Sequence, residues 1–415
     1  MQQATRSGPW LLVFIGFAAL AVAFSVRAVL GLAMPVIETE LGWSRSFISG
    51  VGALALLVMA MAAPFAGGLT DARGPRLLIS GGLIAIALGA GLVAATGSAP
   101  LFVLGFGLVA AVGFTAVGTN VVAAAIAKSF EARRGLATGL GTSGATAGQL
   151  LVVPAVALLM QSASWRYGFA ALAVFACLLA AAAFRMLPKT PPRAAEATTP
   201  GAWRRDVALL VRAPVFHVLF WSFLVCGFTA TGAIETHLLP YAAFCGFPPL
   251  PSAAAYGVLS AVNFAGMVLS GYLSDRVHRP SLLGAIYVVR AASFVLLLYV
   301  APDIRLLYVF VVLFGLVDYS TIPVTIGLAA SHFGVKRIGL VMGLISSGHA
   351  LGGALGALSG GLLFDLGRTY GALWLGSFVL SLVAGLVVLT LKDRPDEAGD
   401  AEDAGPRARV SEALS

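Results

Sequence analysis

The stretch GGLTDARGPR, residues 67–76, recurs in degenerate form as GYLSDRVHRP, residues 271–280, about 204 residues further along the chain. A second pair repeats at nearly the same offset, because SFEARRGLATGLGTSGATAG at 129–148 corresponds to HFGVKRIGLVMGLISSGHALGG at 332–353. Repetition at one fixed offset indicates that a chain consists of similar units. The sequence therefore predicts two halves with the same internal arrangement.

Both halves are strongly apolar. The chain of 415 residues is 59% hydrophobic and 11% charged, whereas soluble domains carry about a quarter charged residues. The apolar residues come in blocks of about 20, the length of helix that crosses a hydrocarbon core. Glycine is abundant, with 49 residues, as close packing of helices in lipid favours. These features predict an all-α membrane protein.

Twelve apolar blocks can be counted, six in each half. They lie at 10–36, 47–69, 77–96, 101–127, 136–160, 166–187, 214–241, 253–274, 281–300, 305–330, 338–364 and 371–391. The first block is too long for a removed signal peptide and lacks a cleavage site, so we interpret it as a retained span. The predicted organisation is an N-terminal six-helix bundle at 1–187, a flexible cytoplasmic linker at 188–213, a C-terminal six-helix bundle at 214–391 and a disordered cytoplasmic tail at 392–415.

The positive charges predict the orientation, because cytoplasmic loops retain Lys and Arg. With both termini in the cytoplasm, 20 of the 26 Lys and Arg residues lie inside, and the four outside are Arg45, Arg166, Arg305 and Arg368. The remaining two, Arg27 and Arg290, lie within spans. The net charge of +8 is therefore mostly a topology signal, and no nucleic-acid partner is needed to explain it. We expect a multi-pass protein of the bacterial inner membrane that functions as a monomer.

The repeated motif carries a family resemblance. The pattern G-x-L-(T/S)-D-x-x-G-x-R after the second span, its copy after the eighth, and the six-plus-six arrangement resemble the major facilitator superfamily. LGWSRSFIS at 41–49 and RRGLATGLGTSGATAGQ at 133–149 are similar to bacterial relatives of the monocarboxylate porters. Those porters place an Asp and an Arg four residues apart in the eighth span, where this sequence has Asn263 and Met267.

The resemblance implies a fold and a mechanism. Two pseudo-symmetric six-helix bundles would rock around a site near the membrane midplane, so that substrate is exposed to one side at a time. It also implies a gating role for four charges of the repeated motif, which would bond helix ends across the bundles: Asp71, Arg76, Asp275 and Arg279. The alternative is that these four are ordinary loop charges.

Charges inside spans point to the transport chemistry, because a charge at the bilayer centre costs about 2.5 to 3.5 kcal/mol on insertion scales. Arg290 and Asp318 lie at similar depth near the midplane in consecutive spans, so we expect a structural charge pair, with Asp318 also able to bind a proton. Arg27 and Glu235 lie at comparable height in the first and seventh spans, which line the cavity in this superfamily.

Arg27 has three interpretations. Its guanidinium can anchor a carboxylate from the cavity wall with a two-point grip, it can be a purely structural partner of Glu235, or it can snorkel to the outer surface. We expect the first. Glu235 then qualifies as the proton-coupling residue, because burial and the approach of Arg27 shift its protonation in opposite directions.

Neutral polar and histidine side chains complete the predicted substrate site. They are Thr119, Asn120, Gln149, His237, Asn263, Tyr319 and His349. For each one separately, hydrogen bonding between helices is the commoner use in lipid, and a lone membrane histidine is more often a packing residue.

These residues predict a secondary transporter that moves a small organic anion, monocarboxylate-like, by alternating access coupled to protons, with symport, exchange and uniport all left open. The alternative is an exporter of amphipathic or drug-like compounds. An enzyme or receptor lacks support, because the sequence shows no nucleotide-binding loop, no Ser-centred elbow and no large soluble domain. Cys177, Cys226 and Cys245 have neither metal nor disulfide spacing, so we expect no metal and no cofactor.

Overall fold

The computed structural model describes residues 8–130, 134–162, 164–188, 202–301, 303–334 and 338–393. Within these ranges the description leaves out the side chains of residues 8, 63–73, 120, 124, 127–128, 134–136, 202–206 and 339. Two predicted site residues, Asp71 and Asn120, therefore fall outside the described side chains. The predicted tail falls outside the description from residue 394 onward.

All twelve predicted spans are confirmed as helices long and apolar enough to cross a membrane. We number these spans α1 to α12: Pro9–Leu41, Arg45–Ala62, Pro75–Ala95, Ala99–Ala123, Ala137–Ser162, Trp165–Met186, Pro214–Phe244, Pro249–Ser274, Arg279–Leu297, Ile304–Phe333, Leu340–Gly367 and Gly371–Val388. Helices form because a spanning segment without water must satisfy its backbone donors and acceptors internally.

Helical structure also continues beyond the ends of several spans. The helix of α2 continues to Arg73, and an additional helix, Ala202–Arg212, precedes α7. This additional helix lies in the segment predicted as a flexible linker, so the C-terminal part of that segment is helical. Leu210 is buried there, whereas Leu209 and Val211 are exposed, which is the pattern of a helix that docks one face.

The two halves pack their helices in the same pairs. In the N-terminal half α3 packs on α6, α2 on α4 and α1 on α5, and in the C-terminal half α9 packs on α12, α8 on α10 and α7 on α11. Each pair of the second half is the first-half pair shifted by six spans. The structure thus has the two pseudo-symmetric six-helix bundles that the repeats predict.

Among the described residues, the main helix contacts that join the halves are α2 with α11, α1 with α7, and α5 with α8. We call the membrane side on which α1 begins and α12 ends the terminal face, and the side on which α1 ends the distal face. Gly50 meets Leu358 and Gly353 meets Leu56 along α2 and α11, and Gly257 meets Leu150 where α8 crosses α5. These contacts lie between the middle and the distal end of each helix.

Several helices are irregular near their centres. π-helical turns occupy Val103–Ala110 in α4, Gly148–Val152 in α5 and Phe228–Glu235 in α7. α10 is broken between Asp318 and Thr321. Interruptions of this kind are tolerated in a membrane only where side chains or neighbouring helices satisfy the freed backbone groups.

Candidate functional site

A cleft lies between the halves where α1, α2, α4 and α7 converge. It holds about 420 Å³ of space not occupied by protein atoms, part of it open to solvent. Its lining is mostly apolar: Arg27, Leu30, Gly31, Gly52, Ala55, Leu56, Met59, Phe106, Phe114, Thr231, Glu235 and Thr236. Among the residues that the structure describes, Arg27 and Glu235 supply the charges of this lining.

Arg27 and Glu235 form an ion pair across the cleft. The Arg27 Nη2 atom donates to Glu235 Oε2 at 2.6 Å, and the two side chains are 18% and 15% exposed. The Arg27 guanidinium also lies 5.0 Å from the centre of the Phe24 ring. Because Arg27 belongs to the N-terminal half and Glu235 to the C-terminal half, this pair also connects the two bundles.

The backbone brings these helices close enough for the pair to form. Gly31 lies one turn beyond Arg27, and a Cβ atom there would come within 3.0 Å of the Thr236 carbonyl oxygen. A larger residue at this position would push α1 away from α7. The π-helical turn that ends at Glu235 widens α7 at the same level, as such turns often do at functional sites.

Tyr319 links the ion pair to α10. Its hydroxyl lies 3.4 Å from Glu235 Oε1, and its backbone N–H donates to Asn263 Oδ1 of α8 at 2.8 Å. Asn263 uses its other end as well, because Nδ2 donates to Asp318 Oδ2 at 3.0 Å. Glu235, Tyr319, Asn263 and Asp318 therefore form one connected polar path.

Arg290 and Asp318 lie at the buried end of that path. Arg290 Nη2 is 3.5 Å from Asp318 Oδ1, and the two side chains are 0% and 4% exposed. Arg290 Nη2 also donates to the Val317 carbonyl at 3.0 Å and to the Asp318 carbonyl, while Nη1 donates to Thr229 Oγ1 at 3.1 Å. Arg290 is not among the residues that line the cleft.

Gln149 lies between the halves and not in the cleft wall. Its Nε2 donates to the Tyr256 hydroxyl at 3.3 Å, and its Oε1 accepts from Ser260 at 2.7 Å, so it joins α5 to α8. Thr119 is exposed at the first turn of the helix Thr119–Ser129.

The two histidines lie against other helices. His237 is fully buried; its Nε2 is 2.8 Å from the Ala357 carbonyl, and its ring lies beside Tyr370. His349 packs its ring at 5.0 Å from the ring of Phe223. Neither is among the cleft-lining residues.

Contacts of three residues of the repeated motif are described. The guanidinium of Arg76 lies 4.3 Å from the Phe184 ring of α6. Arg279 donates its backbone N–H to Asp393 Oδ2 at 2.8 Å and its Nε to the Ser274 carbonyl at 3.2 Å. Asp275 is exposed at the end of α8. Asp71 lies outside the described side chains, so the structure is silent on its contacts.

A cluster at the distal face was missed by the sequence reasoning, which treated Arg45 as an outer loop charge. Arg45 is buried; its Nε donates to Glu38 at 2.7 Å, its Nη1 donates to the Tyr370 hydroxyl at 2.8 Å, and its guanidinium lies 3.8 Å over the Phe364 ring. Burial raises the pKa of the Tyr370 phenol to about 12 although Arg45 acts in the opposite direction. The phenol therefore stays neutral at physiological pH.

A second bond closes the same face. Asp365 at the end of α11 accepts from the Ser46 backbone N–H at 2.9 Å, at the N-terminus of α2. A carboxylate is stabilised there by the free N–H groups and the helix dipole. The segment LGWSRSFIS is the sequence signal that could have located this cluster, because it was singled out by family resemblance.

The described residues contain no group of three or more His, Cys, Asp and Glu side chains that could hold a metal ion. Cys177, Cys226 and Cys245 are free thiols.

Two apolar six-helix bundles around a charged cleft define a membrane transport protein, and comparison with known proteins gives its family. The model of the Major Facilitator Superfamily matches residues 15–294 and 265–414. The chain belongs to this superfamily. It is a multi-pass transporter and not an enzyme.

Relatives of known sequence include monocarboxylate transporters. The chain is 24% identical over 383 residues to monocarboxylate transporter 13 of Rattus norvegicus, covering 92% of this chain and 88% of that protein. It is 26% identical to human monocarboxylate transporter 11, covering 90% and 81%. An uncharacterized MFS-type transporter of Bacillus subtilis, YcxA, is 30% identical over 251 residues. The aligned part covers 58% of this chain and 60% of the length of that protein.

A solved structure supports the fold. The crystal structure of a D-xylose-proton symporter superposes with a TM-score of 0.76 at 15% sequence identity, covering 94% of this chain and 99% of that chain. At this identity the likeness concerns the fold alone.

Proposed function

We propose that this transporter moves a small organic anion of the monocarboxylate class, coupled to protons, by alternating access around the cleft. The observation that carries the proposal is the Arg27–Glu235 ion pair at 2.6 Å in the cleft lining. The names of the monocarboxylate transporter relatives point to the same substrate class.

The pair suggests how a proton and an anion are coupled. In the empty transporter the Glu235 carboxylate neutralises the charge of the Arg27 guanidinium. When Glu235 takes up a proton it loses its charge, and the Arg27 guanidinium is left to bind a substrate carboxylate in its two-point fork. Proton and anion then bind together, because an unpaired buried guanidinium is costly without the anion.

The remaining predicted residues take supporting roles in this proposal. Tyr319 contacts Glu235 and can orient its carboxylate. Asn120 and Thr119 stay candidates for substrate contact from α4. In this conformation Gln149, His237 and His349 contact neighbouring helices and not the cleft. We therefore propose that they contact substrate only in other states of the transport cycle. The sequence also predicts proton coupling for Asp318, whereas the contacts of this side chain favour its other predicted role, as the structural partner of Arg290. Arg76, Arg279, Asp71 and Asp275 remain the proposed terminal-face gate.

We further propose that both termini are cytoplasmic and that the protein functions as a monomer in a bacterial inner membrane. The partition of 20 Lys and Arg residues inside against four outside supports the orientation. The terminal face is then cytoplasmic, and the Arg45 cluster closes the outside. A probe on the loop at Gly246 should label intact cells, and labelling only after permeabilisation would reverse the orientation.

The test of function is uptake of labelled monocarboxylates into proteoliposomes with an imposed pH gradient. Arg27→Gln should insert normally, since losing a positive charge lowers the insertion cost, but should not bind or carry the anion. Glu235→Gln should still exchange bound anion across the membrane but should not accumulate it from the gradient. Unchanged anion binding in Arg27→Gln would refute the proposal.

One observation favours the second candidate, an exporter of amphipathic compounds. Most of the cleft lining is apolar and includes Met59, Phe106 and Phe114. An exporter would bind neutral or cationic amphipathic compounds in Arg27→Gln as well as in the wild type. Competition between such compounds and carboxylates in a binding assay separates the two functions.

A further inference from the structure

The break in α10 follows from Pro323. Proline has no backbone N–H and its ring clashes with the carbonyl four residues earlier, which here is that of Tyr319. The helix Ile304–Asp318 therefore ends, and a new helix starts at Thr321. The Tyr319 carbonyl accepts instead from the Ile322 N–H at 3.1 Å.

The break frees backbone groups inside the membrane, where each needs a partner. The carbonyls of Leu316, Val317 and Asp318 lie in the last turn of the first helix, where carbonyls have no partner in a continuing helix. Ser320 Oγ donates to the Leu316 carbonyl, and Arg290 Nη2 donates to the carbonyls of Val317 and Asp318. The guanidinium thus caps the C-terminus of a buried half-helix, where its positive charge also complements the helix dipole.

The Arg290 guanidinium contacts polar atoms of the kind that bind a cation, and the rings of Tyr287 and Phe314 lie 5.7 and 5.4 Å from it. Oxygen and sulfur atoms of α7 and α10 face it: the carbonyls of Val317, Asp318 and Cys226, the Asp318 carboxylate, Thr229 Oγ1 and Cys226 Sγ. Arg290 is 0% exposed. In other transporter folds the freed carbonyls and C-terminal ends of broken helices coordinate Na⁺ or a proton.

The same frame positions the Asp318 side chain. The Tyr319 N–H can only donate, so it fixes Oδ1 of Asn263 toward itself and turns Nδ2 toward Asp318 Oδ2. Asp318 Oδ1 faces Arg290. Both carboxylate oxygens therefore face donors. The other titratable groups that act on Asp318 are Cys226, Glu235 and His349.

We propose that the Arg290 guanidinium takes the place of a dissociable coupling cation at the break in α10, so that Asp318 carries no transported proton and Glu235 alone exchanges it. The last part rests on the proposed function. The cation site is permanently occupied, since arginine stays charged at any physiological pH.

The first test removes the arginine side chain from the proposed cation site. Purified Arg290→Ala should melt at a lower temperature than the wild type in choline chloride, and millimolar guanidinium chloride should raise its melting temperature while leaving that of the wild type unchanged. The matched control, Arg290→Ala with Asp318→Asn, should respond much less. Failure of guanidinium to stabilise Arg290→Ala, or an equal response in all three proteins, would overturn the proposal.

A second pair of variants covers the case in which Arg290→Ala does not accumulate. Arg290→Lys keeps a cation at the break and should accumulate as folded protein, whereas Arg290→Gln, of similar length but neutral, should fall by at least about tenfold, as expected for an orphaned buried carboxylate. Equal accumulation of the two variants would show that the positive charge is not needed.

The last measurement separates the proton sites. For each variant, gradient-driven uptake is divided by counterflow, both per folded protein. The ratio should fall far below the wild-type value in Glu235→Gln and stay near it in Asp318→Asn. The reverse result would overturn the assignment. If the wild type itself shows no response to a pH gradient, the proposed function fails, while the guanidinium experiment still tests the cation site.

Discussion

The two charge pairs of this protein differ in almost every physical respect. Arg27 and Glu235 meet at 2.6 Å, are partly exposed, and belong to different halves. Arg290 and Asp318 are almost fully buried, lie within one half, and are further apart at 3.5 Å, but are surrounded by further hydrogen bonds. A pair at a moving interface can exchange partners, whereas a pair enclosed by its own bundle cannot do so without unfolding it. Location and surroundings, more than the distance between charges, therefore separate a site for transport from a fixed part of the fold.

The largest effect should come from breaking the buried pair. Arg290→Gln or Asp318→Asn alone leaves one buried charge without its partner, which costs about 3 to 5 kcal/mol, so the yield of folded protein should fall steeply. The double variant should recover part of the yield, but not all, because two carbonyls at the break lose their donor at about 1 to 3 kcal/mol each.

Size-exclusion profiles of fluorescent fusions measure this yield. Normal yields of both single variants, with transport lost, would place Arg290 in the substrate site and erase the contrast between the pairs.

A smaller effect is expected from Arg27→Lys at the cleft. The charge is retained but the planar fork is not, so the protein should accumulate normally and bind its anion at least about tenfold more weakly, equivalent to ~1.4 kcal/mol. Isothermal titration of the purified protein with carboxylates measures this change. Wild-type affinity in Arg27→Lys would mean that the guanidinium geometry is not used.

Tyr319→Phe should have a milder effect, because its hydroxyl lies at the long distance of 3.4 Å from Glu235 and such a bond contributes about 0.5 to 1.5 kcal/mol. Anion affinity should change by less than about tenfold, and folding should not change. A loss of binding as complete as that expected for Arg27→Gln would instead make Tyr319 a direct substrate ligand.

The smallest effect concerns the distal cluster. Tyr370→Phe removes only the hydroxyl that Arg45 bonds, worth about 1 kcal/mol, so the population should move modestly toward opening of the distal face. Spin labels at the distal ends of α2 and α11 report the separation of the halves. A mean distance identical to that of the wild type would show that this hydroxyl does not hold the face closed.

Hydropathy was sufficient to predict the twelve spans, because the bilayer imposes both helix and length on every segment. Depth along each helix was also enough to match Arg27 with Glu235 and Arg290 with Asp318 in height, and the structure places both pairs in contact.

The direction in which a side chain points around its helix was not predictable. His237 lies only two residues from Glu235 but faces Gly360 of α11, where the absence of a side chain makes room for its ring. Asn263 was interpreted as a cavity residue, yet both ends of its amide are used by α10. These orientations depend on which helices are neighbours, and hydropathy carries no such information.

Arg45 shows a different limit. Its position between two apolar blocks favours a solvated loop, but Phe364 and Tyr370 of the other half cover it. A contact between residues of different halves, such as that of Arg45 with Tyr370 across 325 positions of sequence, leaves no local trace in composition.

The opposite charges of Arg27 and Glu235 also bear on membrane voltage. Moving one elementary charge through the membrane potential involves about 2.3 kcal/mol per 100 mV. The empty cleft holds one positive and one negative side chain, and an anion bound with a proton adds no net charge. In the proposed cycle the loaded and the empty transporter therefore reorient without electrical work. Transport then depends on the concentration gradients of substrate and proton and not on the membrane potential.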